Sequence, residues 1–259
     1  MASQPSANLP LFYKNLTPLQ NGVHQAFRAK TTDQAPFFAK THAVPLTIDE
    51  FVHAQRQFPI VFSSGDNPVP LGLFGLNEGV NVFVADDGTL KQEMYVPAYV
   101  RRYPYLLARL TPEAEELSLC FDPDSGLLGP DGEGPLLFDG DRPSEATNAI
   151  LKFCEDFELS AQRTTAFVKE LADMELLMDG EVSIQATDQE QPYVYRGFQM
   201  VNEEKFRDLR GDELRKINQN GILPLIVAHL FSLSLMRDLF GKQMLQGKVP
   251  PVNTALTFA

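Results

Sequence analysis

The stretch Tyr95–Leu107 constrains the fold more than any other, because it concentrates four tyrosines, two adjacent arginines and two prolines on one short apolar segment. Pro97 occupies the place of a first helical residue, where its fixed φ suits a helix and its missing N–H removes no hydrogen bond. Pro104 lacks the N–H that a helix needs and clashes with the preceding turn. The two prolines therefore predict a short helix that begins near Pro97 and kinks or splits near Tyr103.

The two arginines of this segment point in different directions on such a helix. Successive helical residues lie about 100° apart around the axis, so one guanidinium can face water while the other turns inward. The residues three and four positions from Arg102 are apolar or aromatic, which predicts that Arg102 is the inward one and that Arg101 reaches solvent. Two interpretations stay open: a structural arginine in a buried network, or an anion or carboxylate site framed by tyrosines.

Composition and charge limit the class of protein. The chain has 259 residues, of which 44% are hydrophobic, so it is long enough for one large core or two modest ones. Its formal charge of −12 argues against non-specific binding to nucleic acid or to anionic membranes, since both require a basic surface. Cys120 and Cys154 are the only cysteines, and we interpret both as ordinary buried thiols.

The first half of the chain carries mostly strand signals. The sequence Thr47–Glu50 matches a capping box and predicts a helix over Phe51–Phe58. The segments expected to be extended are Val23–Ala29, Pro36–Ala39, Pro59–Phe62, Val69–Leu76, Gly79–Val84, Leu90–Tyr95 and Leu117–Phe121.

The second half carries mostly helical signals. Helices are predicted over Ser144–Phe157, Ser160–Met178, Asn202–Leu209, Asp212–Asn220 and Gly221–Phe240, with a strand pair at Val182–Thr187 and Tyr193–Val201. The fold class is therefore α+β, mainly antiparallel sheet in the N-terminal half and mainly helical in the C-terminal half. We expect a partly ordered N-terminal arm over 1–20 and a single α+β domain over 21–259.

The last third contains the most apolar window, Ile222–Met236, which holds a proline, a histidine and two serines. It is shorter than the roughly twenty apolar residues of a membrane span, so we expect a buried core helix, with His229 a satisfied core histidine. The N-terminus shows no secretory signal. We therefore expect a soluble, cytoplasmic protein without membrane insertion, which would reach the cell surface only by a signal-independent route.

The sequence contains no recognisable catalytic set. Its four histidines are dispersed, and no nucleophile elbow, phosphate-binding loop with its lysine, or dinucleotide fingerprint is present. The acidic stretch Asp122–Arg142 begins like a calcium loop, but its glycine comes one place early and its later ligand positions are apolar. We expect no metal and no cofactor.

Several separate pieces of the sequence resemble one known family, the bacterial SapC-like proteins. The matching pieces are His24, Val44–Phe51, Phe58–Phe62, Gly75-Leu76, Asn81–Val84, Tyr95–Tyr105, Leu137–Gly140 and the late helix at Gly221–Leu235. The sequence departs from the family at Leu90, where a tryptophan is usual, and at Tyr105, where phenylalanine is usual. The first departure removes a large aromatic side chain that could line a pocket.

The resemblance implies a setting and no defined activity. The family is named for its association with a paracrystalline bacterial surface layer, and its members lack an assigned biochemical activity. Relatives are often encoded near TonB-dependent receptors and flavin-dependent halogenase-like proteins. The expected partners are therefore surface-layer or outer-membrane uptake components, or a peptide or small-molecule ligand, and not nucleic acid.

Two functional hypotheses follow. The first, which the acidic charge and the missing catalytic set favour, is a non-catalytic surface-layer-associated or accessory binding protein. The second is an enzyme or enzyme partner acting on a peptide or carboxylated small molecule, in a setting linked to TonB-dependent uptake or halogenase-like proteins. An internal acidic partner for Arg102 would favour a structural role. The candidate ligand-binding residues are His24, Tyr95, Tyr99, Arg101, Arg102 and Tyr103.

Overall fold

The computed structural model describes residues 9–30, 32–91, 94–111, 116–186 and 191–249, and the backbone alone of 256–257. The chain divides into two compact units. The first contains residues 1–33 and 100–159, and the second contains residues 34–99 and 160–259. The expectation of an arm over 1–20 followed by one domain stays a prediction, and residues 1–8 of that arm lie outside the described residues.

The strands of the described residues, in chain order, are β1 (Thr17–Pro18), β2 (Arg28–Ala29), β3 (Ala43–Pro45), β4 (Ile60–Ser63), β5 (Pro70–Leu73), β6 (Tyr105–Ala108), β7 (Ser118–Phe121), β8 (Leu128–Gly129), β9 (Phe138–Asp139), β10 (Arg142–Pro143), β11 (Leu177–Ile184), β12 (Tyr193–Val201) and β13 (Leu256–Thr257).

The α-helices of the same residues are α1 (Asn21–His24), α2 (Phe51–Ala54), α3 (Ala98–Arg102), α4 (Glu145–Asp173), α5 (Glu203–Arg207), α6 (Gly211–Gln219), α7 (Leu223–Ser232) and α8 (Leu235–Leu245). Short 3₁₀ turns occupy Pro36–Phe38, Ile48–Glu50 and Pro123–Ser125.

The first unit is built on a small antiparallel sheet with the strand order β1-β7-β6, in which Tyr105 lies opposite Phe121. Two further ribbons pair β2 with β8 and β9 with β10. Tyr105, Phe121 and the Cys154 side chain form its buried cluster. Cys120 is also buried, and both thiols are free, which confirms the prediction for the cysteines.

The second unit is built on a larger sheet with the order β11-β12-β4-β5-β3, and β13 pairs in parallel with β12. Helix α7 packs against it through the fully buried His229. The Val201 N–H donates to His229 Nε2 at 3.1 Å, so the ring proton lies on Nδ1, which donates to the Ile60 carbonyl oxygen at 2.8 Å. The predicted satisfied core histidine is confirmed.

The α+β fold class is confirmed, with most strands in the N-terminal half and most helices in the C-terminal half. The capping box is also confirmed, although the predicted helix over Phe51–Phe58 already ends at Ala54. The two helices predicted over Ser144–Met178 form one continuous helix, α4, since no glycine or proline separates them. The long helix predicted over Gly221–Phe240 is instead two helices, α7 and α8.

Some of the strand predictions were wrong. Part of Val23–Ala29 lies in α1, and Pro36 starts a 3₁₀ turn instead of a strand. The segment Gly79–Val84 makes only an isolated bridge between Val84 and Leu90. The buried Asn81 side chain explains this, because its amide oxygen accepts hydrogen bonds from the N–H groups of Phe83 and Val84, at 2.9 and 3.2 Å. Leu90–Tyr95 forms no strand in its described part, and residues 92–93 lie outside it.

The stretch Leu223–Leu245 is long and apolar enough, by length and composition, to cross a membrane. This is weak evidence, because the core helices of soluble proteins share both properties, and 39% of its most apolar window is buried. The location of the protein in the cell therefore stays a prediction.

Candidate functional site

Arg102, the inward arginine of the stretch Tyr95–Leu107, which we call the organising segment, has an internal partner. Arg102 ends helix α3 and is 6% exposed. Its Nη1 donates to Glu158 Oε1 at 3.0 Å, and its guanidinium carbon lies 4.2 Å from the centre of the Phe157 ring. An internal carboxylate thus neutralises Arg102, which is the arrangement expected of a structural arginine.

Arg101 is exposed, as the helical spacing predicted. Its guanidinium carbon lies 5.2 Å from the centre of the Phe153 ring, within the range of a cation–π contact. The predicted contrast between the two arginines is therefore confirmed by their burial.

Tyr103 follows helix α3 and precedes a cis peptide bond to Pro104. Its hydroxyl donates to Asp122 Oδ2 at 3.2 Å. Burial and the negative charge of Asp122 raise the tyrosine pKa well above its usual value. The Asp122 carboxylate also accepts the N–H groups of Lys14 and Asp124, at 2.8 and 2.9 Å. The first acid of the calcium-like stretch is thus a fully buried hydrogen-bond acceptor.

His24 is buried among aromatic rings. Its ring centre lies 4.8 Å from that of Phe27 and 5.1 Å from that of Phe121, both in edge contact. Its Nδ1 accepts the Gln20 N–H at 3.1 Å. Burial lowers the His24 pKa, because the charged ring is less well solvated there.

Glu50 joins the start of the organising segment to the capped turn in the second unit, and its side chain is buried. Its Oε2 accepts the N–H and the hydroxyl of Thr47, at 2.8 and 2.9 Å. Its Oε1 accepts the Ala98 N–H at 2.6 Å and the Tyr95 hydroxyl at 3.2 Å. The Tyr95 ring also stacks on His53, with 5.3 Å between ring centres. Four donors thus converge on one carboxylate.

The six candidate residues fall into both units. His24, Arg101, Arg102 and Tyr103 belong to the first, whereas Tyr95 and the buried Tyr99 belong to the second. Three of them are bound to carboxylates, which favours structural roles for Arg102 with Glu158, Tyr103 with Asp122, and Tyr95 with Glu50. Ligand binding by these residues stays a prediction.

The second unit contains a cavity of about 380 Å³ that the sequence did not reveal. We call it the lysine cavity; its lining residues are Arg56, Gln57, Val82, Phe83, Lys91, Met94, Leu235, Asp238 and Lys242. Val82 and Phe83 are buried, whereas the charged side chains are exposed. Its volume lies within the range of small-molecule sites, roughly 300–1,000 Å³.

The cations that line the lysine cavity, Arg56, Lys91 and Lys242, form no ion pair with any described carboxylate. The Lys242 ammonium lies 4.5 Å from the centre of the Phe83 ring. Partial desolvation of the otherwise exposed Lys91 lowers its pKa, and the positive charges of Lys242 and Lys248 lower it further. Cations therefore crowd this cavity in a chain whose formal charge is −12.

Another cavity of the second unit, of about 360 Å³, lies beside the irregular pairing of β11 and β12. Its charged lining residues include Glu181 and Arg196, which form an ion pair at 2.6 Å. Because this arginine already has an internal carboxylate, the lysine cavity is the stronger candidate for an anionic ligand. Among the described residues, no group of three or more His, Cys, Asp or Glu side chains is placed to hold a metal ion.

Sequence reasoning missed the partners and the cavity for the same reason. Glu158 is 56 residues from Arg102 along the chain. Lys91 comes before helix α4 in the sequence, whereas Lys242 comes after it. Local periodicity carries no signal for such pairings. The three cations of the cavity are far apart in the sequence, so their cluster becomes visible only in the folded chain.

Comparison with known proteins identifies one family. The SapC family model matches residues 19–239. No curated protein and no solved structure matches the chain. The matched region covers the organising segment, the Glu50 carboxylate and the whole lining of the lysine cavity except Lys242. The chain belongs to the SapC family.

Proposed function

We propose that this SapC-family chain is a non-catalytic binding protein whose ligand is a carboxylated small molecule held in the lysine cavity. The observation that carries the proposal is the gathering of Arg56, Lys91 and Lys242 around one cavity without an ion pair among the described residues. Elsewhere in the chain many arginines and lysines are paired with carboxylates, as Arg102 is with Glu158.

Electrostatics explains why this cavity favours an anion. Like charges held close together disfavour the charged form of each, which is the cause of part of the lowered Lys91 pKa. A carboxylate among the three cations would relieve that repulsion and accept charge-assisted hydrogen bonds. Arg56 offers a planar fork of donors, which suits a carboxylate, and Lys91 and Lys242 add point charges. The buried Val82 and Phe83 offer an apolar surface beside these groups.

The chemistry of the lining supports binding over catalysis. The described residues that line the cavity include no serine, cysteine, histidine or tyrosine. The described lining residues therefore offer no hydroxyl or thiol nucleophile with a histidine base beside it. One observation favours the alternative, an enzyme acting on a carboxylated molecule: the lowered pKa of Lys91 increases the fraction of neutral, nucleophilic amine.

The biological setting belongs to the same proposal. The family name supports an accessory role beside the surface layer or beside outer-membrane uptake components, with the protein made in the cytoplasm. Fractionation of cells that express a tagged chain tests this point. Recovery in the soluble fraction, with proximity labelling of surface-layer or uptake proteins, is the expected result. Recovery in the membrane fraction alone contradicts it.

A thermal-shift screen tests binding. The probes are pairs of a carboxylate and its neutral primary amide, for example 3-phenylpropanoate and 3-phenylpropanamide. We expect a rise in the melting temperature with the carboxylates and none with the amides. Lys91→Gln and Lys242→Gln should each reduce the rise, whereas Lys40→Gln, at an exposed lysine outside the cavity, should leave it unchanged. Equal shifts with acids and amides contradict the proposal.

Mass spectrometry of the same mixtures separates binding from catalysis. A binding protein returns every probe unchanged after long incubation. A new product that disappears in Lys91→Gln would support the enzyme instead.

A further inference from the structure

The one acid among the described residues of the lysine cavity narrows the ligand class. Asp238 and Lys242 lie four residues apart on α8, where side chains share a face. Both line the cavity. Such a pair commonly forms an ion pair, as Lys152 and Asp156 do on α4. In the described structure Asp238 and Lys242 form none, and the ammonium lies over the Phe83 ring.

The missing ion pair leaves both signs of charge available to a ligand. Asp238 is exposed and accepts no hydrogen bond from another described residue, so the donor of a ligand can reach its oxygens. A ligand that carries only a carboxylate would be attracted by the three cations and repelled by Asp238. A ligand that also carries an ammonium group would satisfy both kinds of partner, which is the usual basis of electrostatic specificity.

The remaining lining suits an uncharged side chain. Val82 and Phe83 are buried, and Met94 and Leu235 are half-buried. Methionine and aromatic side chains together form adaptable apolar walls. A volume of about 380 Å³ accommodates a single amino acid with an apolar side chain, or the end of a peptide.

We propose that the ligand of the lysine cavity is an α-amino acid with an apolar side chain, whose carboxylate contacts the cations and whose ammonium group contacts Asp238. This inference rests on the proposed function and specifies its ligand. The cations Arg56, Lys91 and Lys242 select the carboxylate, Asp238 selects the ammonium group, and the apolar walls contact the side chain.

Isothermal titration calorimetry of the full chain tests this with matched probes. They are L-phenylalanine and L-leucine, the acids without the amino group (3-phenylpropanoate and 4-methylpentanoate), 2-phenylethylamine and inorganic phosphate. We expect at least one amino acid to bind roughly tenfold more tightly than its deaminated acid. We expect 2-phenylethylamine and phosphate to bind more weakly than either amino acid.

Asp238→Asn tests the role of the Asp238 carboxylate in binding the ammonium group of the ligand. This variant should lower the affinity for the amino acid to that of the deaminated acid, and it should leave binding of the deaminated acid equal or tighter. Asp208→Asn, which changes an exposed aspartate outside the cavity, is the matched control and should alter neither affinity.

The outcomes separate this inference from the proposed function. Equal affinity for the amino acids and their deaminated acids, or tighter binding of phosphate, overturns the amino-acid assignment and leaves an anion site in place. Absence of binding by every probe overturns both proposals. An amino-acid preference that survives Asp238→Asn removes Asp238 from recognition and overturns the inference as stated.

Discussion

Arg102 and Glu158 form an internal ion pair, in which Nη1 of the arginine lies 3.0 Å from Oε1 of the glutamate. The side chain of Arg102 is 7% exposed and that of Glu158 is 35% exposed. The pair joins the organising segment to helix α4 within the first unit, and Phe157 lies under the guanidinium. The ion pair favours a structural role for Arg102, while ligand binding by this segment stays a prediction.

Arg102→Ala should lower the free energy of unfolding by about 2 kcal/mol. Breaking a fully buried pair costs about 3–5 kcal/mol, and the partial exposure of Glu158 reduces that cost because water can solvate the remaining carboxylate. Arg101→Ala is the natural control, since this side chain is exposed and its cation–π contact with Phe153 is worth about 0.5–1 kcal/mol. Urea denaturation measures both. Equal losses for the two variants would contradict a structural role for Arg102.

Glu50→Gln should lower the free energy of unfolding by about 1–3 kcal/mol, because an amide NH₂ replaces one of two acceptor oxygens and leaves buried donors unsatisfied. The donors affected are either the N–H and hydroxyl of Thr47, or the hydroxyl of Tyr95 and the N–H of Ala98. Thermal denaturation measures the change. Glu204→Gln, at an exposed position of α5, should stay within about 0.5 kcal/mol of the parent protein. An unchanged Glu50→Gln variant would mean that this buried carboxylate contributes little.

How far the sequence predicted these features depends on the range of the interaction. The capping box at Thr47 and Glu50 and the inward turn of Arg102 follow from spacings within one or two helical turns, and both were predicted. The additional reach of Glu50 to Ala98 spans 48 residues and carried no local signal. The segment Gly79–Val84 shows a local signal that misled. Its apolar run predicted a strand, but the Asn81 side chain accepts the N–H hydrogen bonds that a neighbouring strand would otherwise accept.

The His229 ring should make stability depend on pH. Burial lowers its pKa to about 4, while the unfolded chain has an ordinary histidine pKa near 6.5. The unfolded state thus binds more protons between these values. The part of the free energy of unfolding that depends on neutral His229 is fully present above about pH 6.5 and is lost as the pH falls toward 4. The loss amounts to about 3 kcal/mol.

Urea denaturation between pH 7.5 and pH 4 checks this dependence. Protonation of Nε2 would also face the Val201 N–H, which now donates to it. His53→Gln, at an exposed histidine, should leave the dependence intact. An NMR titration in which His229 protonates near pH 6.5 in the folded protein would contradict the account.

Both cysteines should resist alkylation in the folded protein. Burial raises the pKa of Cys154 to about 11 and raises that of Cys120 as well, so little thiolate exists at pH 8. Iodoacetamide followed by mass spectrometry should label neither thiol in buffer and both in urea. Rapid native labelling of Cys154 would place it outside the core cluster of Tyr105 and Phe121.

The most direct test of the account is the affinity for 3-phenylpropanoate in the Lys91→Glu/Lys242→Glu double variant, measured by calorimetry beside the parent protein and Lys40→Glu. Replacing two attracting charges by two repelling ones should abolish binding, while Lys40→Glu keeps the parent affinity at the same ionic strength. Circular dichroism confirms that all three proteins are folded. Undiminished binding by the folded double variant would contradict the claim that the lysine cavity is the anion site.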